Sequence, residues 1–174
     1  MSGWPTRYTR SVSAVSAPPT RFLADAMLGA LARWLRVLDV DVAYDPALDD
    51  PALVARAVAE ARTILTRDRK LVERRLARNH LLIRSDEVGE QVRQVLAEAG
   101  LRPDSCRLFG RCLRCNVPLA PLPAEAARAR VPPYVARTQE EFRICPCCGR
   151  IYWRSTHVER MREWLRRKGI EIDG

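Results

Sequence analysis

The stretch RFLADAMLGALARWLRVLDVDVAYD, residues 21–45, decides the fold of this chain. Its first apolar run ends at Asp25, its last ends at Asp45, and between them leucines recur at helical spacing from Leu28 to Leu38. Short apolar runs rich in β-forming residues indicate strands, and apolar residues three and four positions apart indicate an amphipathic helix. The stretch therefore predicts a strand, a helix and a second strand.

The same alternation continues as far as Gly100. PALVARAVAEA, RKLVERRLAR and EVGEQVRQVLAEAG have apolar residues at helical spacing, whereas TILTRD and HLLIRSD contain short apolar runs. Strands and helices that alternate four times predict an α/β fold, with a mostly parallel sheet and helices on both of its faces.

Acidic residues end the predicted strand segments. Asp25, Asp45, Asp68 and Asp86 do so, and Asp50 follows Asp49 in the loop before the second helix. The carboxyl ends of parallel strands share one edge of a sheet, where ligands bind. Carboxylates that meet there repel one another unless a cation neutralises them, and Mg²⁺ and Mn²⁺ prefer such oxygen ligands. The pattern favours a divalent metal site at this edge.

Helix capping is the alternative explanation for these acids. Aspartate is a preferred N-cap residue, and every one of them precedes a predicted helix. Asp50 suits this role best, because Pro51 would take the first helical position. Both explanations stay open at the level of the sequence.

Four of the six cysteines form two C-x-x-C pairs, Cys112 with Cys115 and Cys145 with Cys148. Residue types that tolerate a left-handed backbone, Asn116 and Gly149, follow the pairs. Two such pairs predict a closed, structural zinc site with four thiolate ligands, in preference to disulfides. Cys106 and Cys147 are expected to be spectators, with redox sensing as the alternative.

A chain of 174 residues has room for one main core and a small second part. We expect the main domain at residues 21–105, and a zinc ribbon with a C-terminal helix at residues 106–174.

Residues 1–20 are rich in Ser, Pro and Thr without a continuous apolar segment, so we expect a flexible tail and a cytoplasmic protein. No segment of the sequence approaches the ~20 apolar residues of a membrane span.

The formal net charge of +9 comes mostly from arginine. This excess indicates a polyanionic partner, nucleic acid before membrane, because the guanidinium group binds phosphate through paired hydrogen bonds. Tyr152, Trp153 and Trp164 could stack on bases or complete a small core. The charge and the acids together suggest metal-assisted cleavage of a phosphodiester.

Five segments in this order resemble the Mut-seven-type C-terminal RNase domain family: FLADAMLGALARWLRVL, DDPAL, ILTRDRKL, RCLRCN and CPCCGRIYW. The resemblance covers about residues 21–165. It implies a PIN-like nuclease domain followed by a zinc ribbon. Two positions depart from the pattern of the family, Asp39 where a glycine would usually end the first helix, and Ser155 where a glycine is more frequent.

The resemblance also implies roles for single residues. Asp25 corresponds to the acid of the first strand, Asp68 to the acid of the T-R-D motif and Asp50 to the acid at the start of a helix. Asp86 would be the fourth member, and Asp45 or Asp49 could replace it.

Basic residues complete the expected site. Arg33 and Arg36, one helical turn apart, would face the substrate or pair with the acids. Arg67 and Arg69 flank Asp68 and would bind RNA, as would His157.

The expected function is a metal-dependent ribonuclease. Mg²⁺ or Mn²⁺ held by Asp25, Asp50 and Asp68 would activate water for in-line attack on RNA. The RNA is expected to be single-stranded, with tRNA and the ribosome as possible partners. Two alternatives remain, a noncatalytic RNA- or ribosome-binding adaptor whose acids only cap helices, and a toxin-like protein that would need a cognate inhibitor.

Overall fold

The computed structural model describes residues 20–73 and 79–173, so residues 1–19 of the expected tail lie outside it. Within the described chain, four short strands form a parallel sheet: β1 (Phe22–Ala24), β2 (Val42–Tyr44), β3 (Thr63–Thr66) and β4 (His80–Leu82). Their order in the sheet is β2-β1-β3-β4. The predicted α/β class with a parallel sheet is confirmed.

Helices follow each strand: α1 (Gly29–Val37), α2 (Asp50–Ala59), α3 (Arg69–Val72) and α4 (Val88–Glu98). The helical spacing of the leucines gives α1 a buried stripe, in which Leu31 and Leu35 are fully buried. The start of the predicted helix RKLVERRLAR is present as α3, and positions 74–78 lie outside the described residues.

Asp39 turns the chain after α1 in a left-handed conformation, with φ of 62°. Its backbone N–H donates to the carbonyl of Arg36 at 3.1 Å, which satisfies one of the last carbonyls of the helix. Aspartate tolerates this conformation better than most residues. Its carboxylate pairs with Arg107, with 2.9 Å between Oδ2 and Nη2. The turn at this departure from the family pattern is therefore formed without glycine and is held by a distant side chain.

Alternate residues of each strand point to opposite faces of the sheet. Phe22 and Leu65 belong to a large core with α1 and α4, whereas Leu23 and Ile64 belong to a smaller core with α2 and α3. All four side chains are at most 1% exposed. The helices therefore cover both faces, as predicted, which is why the strands are apolar throughout.

The second part of the described chain contains a three-stranded antiparallel sheet in the order β5-β6-β7. Its strands are β5 (Ala120–Leu122), β6 (Phe142–Ile144) and β7 (Ile151–Trp153). Two short helices, α5 (Ala124–Arg128) and α6 (Pro133–Thr138), lie between β5 and β6 in the chain. The helix α7 (Thr156–Arg167) follows β7. Ser155 caps α7 because its hydroxyl accepts from the backbone N–H of His157 at 3.3 Å.

The helix α7 packs on the large core of the parallel sheet. Met161 and Leu165 are buried in that core, and Trp164 stacks on Trp34 of α1 with ring centroids 3.7 Å apart. Of the two alternatives for Trp164, the structure supports a core position. The boundary expected at residue 105 stays a prediction, but a shared core joins α7 to the main sheet. Within residues 20–73 and 79–173, no helix has the length and apolar character needed to span a membrane.

Candidate active site and metal centre

The carboxyl ends of β1 and β3 lie side by side in the sheet. The chain leads from β1 to β2 on one side, and then returns past β1 to β3 on the other side. Such a change of direction leaves a crevice outside the carboxyl ends of the two strands, where ligands bind. Asp25 follows β1 directly, and Asp68 lies two residues beyond β3. Two of the predicted acids therefore lie at this switch point.

Thr66, the last residue of β3, connects the two acids. Its hydroxyl donates to Asp25, with 2.6 Å between Oγ1 and Oδ2, and accepts from the backbone N–H of Asp68 at 3.0 Å. Thr66 is fully buried. Thr66 was not among the residues predicted from the sequence, because threonine is common in strands. Its place two residues before the acid in T-R-D is the signal that could have revealed it.

Capping explains one of the two acids and not the other. Asp25 makes no capping bond to the short 3-10 turn that follows it. Asp68 caps α3, since its Oδ1 accepts from the backbone N–H of Lys70 at 2.8 Å. Asp25 accepts the Thr66 bond through Oδ2, and Asp68 accepts the Lys70 bond through Oδ1. The other oxygen of each carboxylate has no hydrogen-bond partner in the described part of the chain. A ligand role is therefore compatible with both residues.

The remaining acids have different local settings. Asp49, and not Asp50, caps α2, because its Oδ1 accepts from the backbone N–H of Ala52 at 2.9 Å. Asp50 is the first residue of α2 and is half-buried. Asp86 is exposed and forms an ion pair with Arg67. Catalytic roles for Asp50 and Asp86 stay predictions.

Asp25 and Asp68 offer a donor set suited to a hard cation. Across residues 20–73 and 79–173, no three acidic side chains bring ligand oxygens within 4.8 Å of one another. Mg²⁺ does not require that, because it keeps several waters and is usually bound through one or two protein carboxylates. Two carboxylates at a switch point therefore fit Mg²⁺ or Mn²⁺.

The predicted RNA contacts differ in exposure. Arg33, Arg69 and His157 are exposed, whereas Arg67 is partly buried in its ion pair with Asp86. Two of these residues, Arg33 and Arg69, thus present their charge to solvent, and contact of all four residues with RNA stays a prediction.

Arg36 joins the two parts of the molecule. It is 5% exposed, its Nε donates to the carbonyl of Val42 at 2.9 Å, and its Nη1 donates to the carbonyls of Leu113 at 2.8 Å and Arg114 at 3.1 Å. Leu113 and Arg114 lie within the first cysteine pair. Arg33 and Arg36, predicted together from their spacing, therefore lie in different surroundings. The contacts of Arg36 hold the cysteine turn on the edge of the parallel sheet.

The four predicted cysteine ligands meet at one place: Cys112, Cys115, Cys145 and Cys148 have sulfur atoms within 4.8 Å of one another. The sulfur atoms of Cys112 and Cys148 are 3.9 Å apart. Four thiolates about 2.3 Å from a zinc ion would lie about 3.8 Å from one another, whereas a disulfide requires about 2.05 Å. All six cysteines are free. The cluster could therefore bind a metal such as zinc.

The turns of the two cysteine pairs have the geometry that the sequence predicted. Asn116 and Gly149 adopt left-handed conformations, with φ of 65° and 68°. The backbone N–H of Cys115 donates to Cys112 Sγ at 3.3 Å, and that of Cys148 to Cys145 Sγ at 3.4 Å. These N–H groups favour the thiolate form that binds metal.

The thiols strongly influence the ionisation of one another. Burial opposes ionisation of Cys112, but hydrogen bonds from the Tyr152 hydroxyl and from nearby backbone N–H groups outweigh it and lower its pKa to about 6. The adjacent Cys148, and then burial, raise the pKa of Cys115. Burial also raises the pKa of Cys145. Thiols this close ionise together only when a cation offsets their charge, which a metal ion would supply.

The fold and the two sites define an α/β protein with acids at a sheet switch point and a four-cysteine cluster held at the edge strand β2. Residues 20–165 match the family model of the Mut7-C RNAse domain, and the chain belongs to that family. Searches of curated proteins and of solved structures found no match. The family suggests a nuclease-like function and implies an RNA substrate, and the resemblance drawn from the five sequence segments is confirmed.

Proposed function

We propose that the protein is a ribonuclease that uses Mg²⁺ or Mn²⁺ to cleave RNA phosphodiester bonds. One observation carries the proposal, the link from Asp25 through Thr66 to Asp68 at the switch point of a chain in the Mut7-C RNAse family. A buried hydroxyl that holds two acids at one crevice supports a site whose ligands are positioned in advance.

In this proposal the acids form the catalytic centre. Asp25 and Asp68 would hold the divalent metal through the carboxylate oxygens that accept no hydrogen bond from the protein. When bound, the metal would lower the pKa of a water molecule and offset charge on the phosphate. Asp50 in the first turn of α2 and Asp86 beside Arg67 complete the acidic rim and orient the attacking water.

Exposed basic residues hold the substrate. Arg33, Arg69 and His157, with Arg67 near the rim, would contact phosphate groups of a single-stranded RNA. Arginine suits this task because its planar group binds two phosphate oxygens at once. The substrate could be a free strand, tRNA or ribosomal RNA, and we place the reaction in the cytoplasm.

We further propose that the four cysteines hold one structural zinc ion. Four sulfur ligands leave no open position for water or substrate, so this ion would take no part in cleavage. Through Arg36, which bonds inside the first cysteine pair, the zinc site would fix the ribbon on the edge of the sheet.

Cleavage of a labelled single-stranded RNA by Asp25→Asn tests the nuclease proposal. Asp25 caps no helix, and the side-chain oxygen of asparagine can still accept the hydrogen bond from Thr66, so the variant should melt near the wild-type temperature. Its cleavage rate should fall a hundredfold or more, which corresponds to about 3 kcal/mol of barrier.

Brief mild chelation should also abolish wild-type cleavage, and Mn²⁺ or Mg²⁺ should restore it. RNA binding without any metal-dependent cleavage would favour the adaptor and contradict the proposal.

A further inference from the structure

An arginine-lined pocket of about 350 Å³ runs along the outer edge of β2. Ligand pockets usually span about 300–1,000 Å³, so this one suits a small group. Six arginines line it: Arg21, Arg36, Arg56, Arg62, Arg111 and Arg114. Asp41 is the one acid among the described residues of its wall. The main sheet and the cysteine ribbon both contribute to this wall, so the pocket exists only where the two meet.

Neighbouring negative charges offset only part of this positive charge. Asp41 pairs with Arg62, and Glu60 pairs with Arg62 and Arg56. A zinc ion with four thiolates would add two negative charges beside the pocket. These four negative charges against six arginines leave two positive charges, and Asp39, which reaches Arg111 at 3.7 Å, pairs more closely with Arg107 outside the wall at 2.9 Å. The pocket is therefore attractive to an anion even when the zinc site is fully charged.

Four of the six arginines form two groups, one buried and one exposed. Arg36 and Arg62 are 5% and 7% exposed and donate to backbone carbonyls, so they supply charge from within the protein. Arg21 and Arg114 are exposed, and they belong to the main sheet region and to the cysteine ribbon, respectively. Arg21 reaches Asp41 only at 3.5 Å, and Arg114 has no carboxylate partner among the residues that the structure describes. Two guanidinium groups thus remain available for a ligand.

Arg111 adds a buried donor that the protein does not satisfy. Its Nε is buried and has no hydrogen-bond partner within residues 20–73 and 79–173. Its ion pair with Asp39 is long, at 3.7 Å. Because this Nε is shielded from solvent, Arg111 contributes its positive charge to the wall, and its Nε donor is not available to a ligand.

The pocket begins close to the acidic rim. Tyr44 belongs to its wall, and the Tyr44 hydroxyl donates to the carbonyl of Ala26 at 2.9 Å, one residue beyond Asp25. From there the wall follows β2 back to Asp41, about 10 Å along the strand. A strand of RNA at the rim could therefore place another of its phosphates in the pocket.

We propose that this pocket binds a phosphate group of RNA other than the one that is cleaved. Apart from Tyr44, the apolar side chains of the wall are those of Ala43, Val117 and Pro118, so the wall offers mainly charge. Paired hydrogen bonds from arginine match phosphate oxygens. The inference takes from the proposed function only that RNA is the partner, and it requires no catalytic metal.

Inorganic phosphate at constant ionic strength is the first probe, with its binding measured by calorimetry in the absence of Mg²⁺ and Mn²⁺. We expect the wild type to bind phosphate, and Arg21→Gln and Arg114→Gln each to bind at least tenfold more weakly. Arg128→Gln is the matched control, because it removes the same charge from an exposed position of α5 outside the pocket. Arg21 lies far along the chain from the cysteines, so its variant is informative even if Arg114→Gln disturbs the zinc site.

RNA of one sequence with a 5′-phosphate or a 5′-hydroxyl then distinguishes the source of the phosphate. Tighter binding of the 5′-phosphate form that disappears in Arg21→Gln would assign the pocket to a terminal phosphate. Equal binding that weakens in Arg21→Gln and not in Arg128→Gln would assign it to an internal phosphate. Absence of phosphate binding by the wild type, or equal weakening in Arg128→Gln, would overturn the proposal while leaving the nuclease proposal intact.

Discussion

The hydroxyl of Thr66 donates to the carboxylate of Asp25 across the β1–β3 pair, with 2.6 Å between the two oxygens. The two residues are 41 positions apart in the chain. The same hydroxyl accepts from the backbone N–H of Asp68, so one buried group holds an acid from each strand. In the proposed nuclease this makes Thr66 a positioning residue for the metal site.

Thr66→Val keeps the size of the side chain and removes the hydroxyl. A hydrogen bond to a charged group contributes about 1.5–3 kcal/mol, so we expect cleavage to fall roughly tenfold to a hundredfold. The Mn²⁺ concentration needed for half of the maximal rate should also rise, because Asp25 would lose its fixed orientation. Thr66→Ser, which restores the hydroxyl, should recover most of the activity. An unchanged rate and Mn²⁺ dependence in Thr66→Val would contradict the positioning role.

Asp68 and Asp104 form a matched pair of capping residues. Each begins a short helix and accepts from the N–H two residues later, from Lys70 at 2.8 Å and from Cys106 at 2.7 Å. Asparagine caps about as well as aspartate, so both Asp→Asn variants should melt near the wild-type temperature. Only Asp68→Asn should reduce cleavage, by a hundredfold or more, about 3 kcal/mol of barrier. Equal rates in the two variants would remove Asp68 from the proposed site.

Cysteine variants test the proposed zinc ion. We expect one zinc per chain by elemental analysis, with Cys112→Ser losing the metal and much of the stability. The reason is that the binding energy of a structural zinc, on the order of 10 kcal/mol or more, is also folding energy. Cys106→Ser is the control, since Cys106 is exposed and lies outside the cluster. Zinc-free wild-type protein with unchanged melting would refute the structural role.

Asp41 should make stability depend on acid pH. It accepts hydrogen bonds of 2.7 Å from both Arg62 and Asn116. Burial opposes its ionisation, but these bonds outweigh burial and hold the pKa of Asp41 below its usual value of 3.8.

The folded protein therefore binds this proton more weakly than the unfolded chain does. The contribution of Asp41 to stability is complete well above pH 3.8 and is lost as the pH falls through its folded pKa. Urea unfolding at about pH 5 and about pH 3 should show a larger loss of unfolding free energy in the wild type than in Asp41→Asn. Equal losses in the two proteins would show that Asp41 does not contribute to the acid sensitivity.

The alternation of strands and helices in the main sheet, and the two cysteine pairs, could be predicted because both are local sequence patterns. A period of two or of three to four residues places apolar side chains on one face of a strand or helix, whatever the rest of the chain does. The C-x-x-C spacing likewise brings two thiolates together within a single turn, with Asn116 and Gly149 in the expected conformations.

Which aspartate caps α2 could not be predicted from residue type alone. Asp49 and Asp50 are identical side chains in adjacent positions, and the structure shows that Asp49 caps the helix. The backbone conformation of the loop decides which carboxylate can reach the N–H of Ala52, and residue type alone does not encode it.

By itself, the sequence determined the α/β class, the apolar faces of the helices and the pairing of the cysteines within each turn. Only the tertiary structure decided that Thr66 joins Asp25 to Asp68, and that Arg36 is buried beneath the first cysteine pair while Arg33 is exposed. These contacts depend on the strand order β2-β1-β3-β4 and on how the ribbon lies against β2. Local periodicity sets which face a side chain takes, whereas contacts between distant segments arise only from the way those segments pack together.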